Sequence, residues 1–137
     1  MREILFRGKR LDNGGWVEGY LCKTVMHLET FHQNVVVDCI EVYDGESYLN
    51  IVFRNVSANS IGQFTGLRDK NGKKIFEGDI LKRTNGNKYV WYVDYKNCAF
   101  CANQSNCNYA CELGELLDQI ELEVIGNIHD NPELLEG

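Results

Sequence analysis

The sequence predicts a β-dominated α+β fold, and three observations carry that expectation. Apolar residues repeat with a period of two, as where Ile61, Gln63 and Thr65 alternate with Gly62 and Phe64. That spacing places one face of a strand on a core. Turn-forming clusters separate such stretches, namely Asp12-Asn13-Gly14-Gly15, Asp69-Lys70-Asn71-Gly72 and Asn85-Gly86-Asn87; Asn and Gly tolerate the positive φ of hairpin turns. Helical spacing stands out in residues 112–120, where Leu113, Leu116, Leu117 and Ile120 share a side. At 137 residues, 44% hydrophobic with a single proline, the chain suits one domain with a core and argues against disorder.

The elements follow in order. Residues 3–8 form a first strand with Ile4 and Phe6 on one face, and the Asp12 turn returns the chain into residues 16–22. There Trp16, Glu18 and Tyr20 oppose Val17, Gly19 and Leu21. Residues 23–34 show no period and predict a helical turn or an irregular loop. Residues 35–43 are β-branched and apolar on both faces, the pattern of a strand covered on both sides, with self-association through residues 35–40 as one way of covering it. Residues 44–47 turn, 48–54 form another strand, and the polar residues 55–60 are a loop that ends an N-terminal β-hairpin layer, residues 1–60.

The chain is organised around residues 61–81. A strand leads to the Asp69 turn, Ile75 and Phe76 return to apolar surface, and Glu77-Gly78-Asp79 reverses the chain again. Asp79 after the turn glycine is read as a backbone-bonding strand start rather than a catalytic acid. Residues 80–83 and 88–95 pair as a hairpin. Residues 98–100 extend the sheet after a turn at Lys96-Asn97, and residues 103–108 are polar and exposed. After the short helix, residues 121–128 form a last strand. Asn131, Pro132 and Glu133 open a terminal helical turn.

The segment IGQFTGLRDKNGKKIFEGDIL, the later Glu123-Val124-Ile125-Gly126-Asn127-Ile128-His129 and Asn131-Pro132-Glu133-Leu134-Leu135, and the opening Met1-Arg2-Glu3-Ile4-Leu5-Phe6-Arg7 carry a likeness. Together, in the order they take along the chain, they resemble the YopX family of phage and prophage proteins. The resemblance implies one domain over residues 1–137, mostly β, with an SH3-like barrel in residues 61–137 closed by the short helix and final strand. It implies no activity. The cysteine-rich residues 98–111 depart from the family pattern, so no site is carried over there.

Charge and compartment narrow the function classes. The net charge of −6 is uneven: from Glu112 onward there are eight acids and no Lys or Arg, which leaves residues 1–111 at +2. Residues 61–96 hold eight bases and four acids, so a phosphate-binding surface stays open beside the plainer reading of a solvated basic hairpin. No apolar run approaches the length of about 18 residues that spans a bilayer, and the N-terminus lacks a signal-peptide pattern. The expected location is therefore the host cytoplasm, and the six cysteines are expected as reduced thiols.

Three candidate sites emerge. Arg68, Lys70, Lys73 and Lys74 crowd a hairpin tip that must be wet; with Lys82, Arg83 and Lys88 they form a candidate surface for a protein partner or single-stranded nucleic acid. Tyr89, Trp91, Tyr92 and Tyr95 could stack bases, but one face of that strand must be core. Cys98, Cys101, Cys107 and Cys111 have paired spacings compatible with zinc. The gap between the pairs is short for common zinc folds, and the competing reading is four small apolar thiols near a sheet edge. A Cys98–Cys101 redox pair would lack its usual βαβ setting. His27, His32 and His129, with Glu29 or Asp130 nearby, form no spaced motif. No phosphate loop, nucleophile elbow or metalloprotease motif is present. The expectation is a non-catalytic interaction protein with a host or phage protein partner, no membrane and no required cofactor. The alternatives are a single-stranded nucleic-acid binder and a small zinc module.

Overall fold

The computed structural model describes residues 2–29, 32–43, 51–85, 89–105 and 107–136, without the side chains of residues 26, 28, 33–37, 43 and 51. The chain is mainly β, and it divides into two compact units, Met1–Gln63 and Phe64–Gly137.

The first unit is an antiparallel meander of β1 (Phe6–Lys9), β2 (Trp16–Leu28), β3 (Gln33–Tyr43) and β4 (Ile51–Asn55), in the spatial order β4-β3-β2-β1. Beyond β1, Phe6 and Arg7 pair with Gln63 and Gly62 at the start of β5 (Gly62–Arg68). The β1–β2 turn forms as the sequence indicates. Arg10 N–H donates to Gly15 O at 2.8 Å, Asn13 Oδ1 accepts from Gly15 N–H, and Gly14 takes φ +71°. Residues 23–34 depart from expectation, because β2 runs to Leu28 and β3 begins at Gln33. Opposed pairs such as Thr24↔Val37 and Val25↔Val36 explain this: β-branched residues favour the pleated ladder once a partner strand is present. Gly19 makes the close approach possible, since a Cβ there would sit 1.9 Å from the Glu41 carbonyl oxygen.

Residues 55–60 are tied down rather than loose. Arg10 bridges Val56, Ser57 N–H donates to Lys9 O, and Lys9 N–H donates to Ser60 Oγ at 2.7 Å. The expected turn at 44–47 lies outside the described residues.

The second unit opens with the rest of β5 paired to β6 (Lys74–Phe76). It continues as a five-stranded antiparallel sheet in the order β10-β9-β8-β7-β11. These strands are β7 (Asp79–Arg83), β8 (Val90–Lys96), β9 (Ala99–Gln104), β10 (Ala110–Glu112) and β11 (Leu122–Asn127). Leu81, Trp91, Val93, Ala102 and Leu122 form a buried cluster with Ile75 of β6 and with Leu113 and Leu116 of α1 (Leu113–Gln119). The expected SH3-like barrel does not appear as a closed structure. Among the described residues β10 and β11 are sheet edges, and the apolar face is covered by α1 and Ile75 rather than by closure. The terminal turn, Pro132–Leu135, is a 3-10 helix; Asn131 does not cap it, and its Oδ1 accepts Asn127 N–H instead. Among the described residues no helix is long and apolar enough to cross a membrane.

Candidate functional site

The basic hairpin is held by an acid. Asp69 is 7% exposed; its Oδ1 accepts Asn71 N–H at 2.8 Å and Lys73 N–H at 2.9 Å, and its Oδ2 accepts Val124 N–H at 3.0 Å. Burial alone would raise its pKa. The three backbone donors and the Lys73 charge outweigh burial and hold the carboxyl below its ordinary value. This staple fixes the tip against β11, where Lys70 N–H donates to Leu122 O. Asp79, 1% exposed, accepts Phe76 N–H at 2.8 Å, the strand-start role expected of it.

Arg68, Lys70 and Lys73 are exposed on this hairpin, with Arg68 over the Phe64 ring and donating to Gly72 O, while Lys74 is half-buried. Lys82 and Arg83 lie on β7 opposite Glu123 and Leu122 of β11. A shallow cleft of about 240 Å³ joins Arg68 and Lys70 to Glu121, Leu117 and Ile120. The fold thus sets the acids of the C-terminal segment among the bases, and opposed charges across a ladder partly cancel. Lys88 lies outside the described residues. Trp91 and Val93 are buried, and the exposed Tyr89 and Tyr95 flank β8 at opposite ends. They stand roughly 20 Å apart at about 3.3 Å per residue, so no continuous stacking platform forms on that face.

The structure does not bring the four cysteines together. Cys98 is exposed in the β8–β9 turn, where Asn97 and Cys98 have φ 51° and 63°, the left-handed pair a two-residue hairpin needs. Cys107 is exposed beyond the other end of β9, which separates the two by roughly the length of a strand, about 20 Å. Cys101 is buried within β9, its thiol directed at Ala99 O and Lys96 O, and Cys111 sits opposite Ala102 on β10. Burial, then Cys101 and Glu115, push the Cys111 thiol up. Among the described residues no three His, Cys, Asp or Glu side chains converge to hold a metal ion. His27 and His32 are exposed on the β2–β3 hairpin, and His129 lies near Gly78.

The sequence did not reveal a row across the first unit. Tyr20 of β2 is directly opposite Glu41 of β3, and Glu41 is directly opposite Phe53 of β4. Opposed residues share a face, so two aromatic rings flank one carboxylate. Tyr20 is 64% and Phe53 52% exposed. Beside Phe53 lies an open groove of about 350 Å³ lined by Leu11, Asp12, Arg54 and Asn55. Asp12 accepts from Arg10 at 2.5 Å, and that hydrogen bond holds its carboxyl below the ordinary range. The alternation in residues 16–22 gives the face of Tyr20; its partners depend on the register of β3 and β4, which no local signal specifies.

No curated protein matches the chain in sequence. Among solved structures, the crystal structure of protein EF1440 from Enterococcus faecalis is similar, with a TM-score of 0.54 and 27% identity over 99% of this chain and 100% of that one. A family model described as YopX protein matches residues 5–136, nearly the whole length. With three sequence signatures in order and a family match that spans both units, the chain belongs to the YopX family.

Proposed function

We propose that the chain is a non-catalytic interaction module, a phage- or prophage-encoded accessory protein that binds a host or phage protein in the host cytoplasm. The observation that carries this reading is the Tyr20–Glu41–Phe53 row. Two exposed rings around a carboxylate suit a Lys or Arg side chain of a partner, because the acid supplies an ion pair and the ring faces attract a cation. The net charge of −6 favours a basic partner at longer range. The test is affinity capture from host lysate by the wild type and by a Tyr20→Ala/Phe53→Ala variant, each with and without nuclease. A discrete protein held by the wild type after nuclease and lost by the variant supports the proposal. Equal capture by both proteins overturns this surface.

The second reading is single-stranded nucleic-acid binding, favoured by the three exposed cations of the β5–β6 hairpin. Glu121 and Glu123 beside that hairpin weigh against it. Loss of all captured material on nuclease treatment moves it to first place. Self-association through residues 35–40 is also proposed, from their two-sided apolar pattern; the side chains of residues 35–37 lie outside the described residues. Monomer alone in a size measurement at micromolar concentration removes it.

A further inference from the structure

Cys22 of β2 and Cys39 of β3 are direct cross-strand partners, 17 residues apart in sequence. Their sulfurs lie 3.1 Å apart, and each thiol is directed at the other residue's carbonyl, at 3.6 and 3.5 Å. Both are free thiols. Opposed residues of an antiparallel pair have Cα atoms about 4.5–5.5 Å apart, inside the roughly 4.4–6.8 Å range a disulfide spans. The register already supplies the backbone geometry, and only the sulfurs must close. Their exposure is unequal: Cys39 is fully buried, whereas Cys22 is partly open to solvent.

We propose that Cys22 and Cys39 are a reversible oxidation site, closed into a cross-strand disulfide by a low-molecular-weight disulfide of the glutathione class. The accessible Cys22 thiolate attacks one sulfur of the small disulfide, whose S–S bond breaks and releases one small thiol. Cys39 gives its proton to solvent and its thiolate attacks the Cys22 sulfur, expelling the second small thiol. Two protein thiols are oxidised and one small disulfide is reduced to two thiols. The bond fastens β2 to β3 between Tyr20 and Glu41 on one side and the rest of the long hairpin on the other. Burial first, then Cys39, push the Cys22 thiol up to about 11, so thiolate is scarce at neutral pH and the exchange is slow.

The experiment equilibrates the full chain anaerobically, over hours, in buffers of oxidised and reduced glutathione, followed by alkylation and peptide mapping. The expected result is a Cys22–Cys39 cross-linked peptide, 2 Da lighter than its reduced parts, that disappears on reduction. Oxidised protein should also unfold less readily, its equilibrium shifted roughly a hundredfold toward the fold by closure of the chain loop. Cys22→Ser should lose both the cross-link and the shift. Glutathione left on Cys22 without closure overturns the proposal, as does oxidation confined to the exposed Cys98 and Cys107. Because the mapping is done on the wild type, failure of the serine variant to fold leaves the test intact.

Discussion

Asp69 shows how one side chain can join distant parts of the chain, because its carboxylate accepts from its own turn and from Val124 on β11. Its pKa is depressed in the fold, so the unfolded state takes up protons first as pH falls. The stability it contributes is therefore present above the unfolded value of about 3.9 and is lost as pH falls through the lower folded value. Asp69→Asn should cost about 1–3 kcal/mol at pH 7, and the gap from the wild type should shrink below about pH 4, as urea melts at both pH values would show. An unchanged melt at pH 7 would contradict the role. Trp91 presents the opposite case, since its buried indole N–H has no hydrogen-bond partner among the described residues. Trp91→Phe should cost less than about 1.5 kcal/mol, well below the roughly 3–5 kcal/mol of a truncation to Ala. The turn role of Asp69 was legible from Asp-Lys-Asn-Gly, but the bond to Val124 depends on a contact far away in sequence, so no local pattern reports it.

At the scale of elements, the hairpins around Gly14 and Lys96-Asn97, the helix of Leu113 and Leu116, and the start of β7 at Asp79 were all readable, because local turn chemistry and periodicity determine them. The strand character of residues 23–28 and 33–34 was not, because no local period marks it and it comes from the partner strand. Gly19 looked like an ordinary member of an alternating strand, yet it touches the backbone of β3. Gly19→Ala should destabilise the chain by at least about 2 kcal/mol in thermal or denaturant unfolding, with β2 and β3 losing hydrogen-exchange protection first. Leu113→Ala should cost about 2–5 kcal/mol, since that residue is fully buried between α1 and the sheet.

At the scale of the whole molecule, the two binding readings differ in the charge distribution they require. The sequence separates a basic middle from an acidic end, whereas the fold of the second unit interleaves them through Lys82↔Glu123 and the Arg68–Glu121 cleft. The sequence thus grouped the basic residues without their acidic neighbours, since sheet order rather than chain order places β11 beside β7. Fluorescence anisotropy with a labelled single-stranded oligonucleotide at about 150 mM salt should show affinity no tighter than about 100 μM. Cys98 and Cys107 stand apart for a related reason, because an extended strand separates residues that a turn would have gathered. Glu41 is the centre of the proposed binding row on the first unit. The most direct measurement is therefore the amount of nuclease-resistant partner captured by Glu41→Lys relative to the wild type. A fall of about tenfold or more is predicted, equivalent to about 1.4 kcal/mol of lost binding; equal capture would contradict the account.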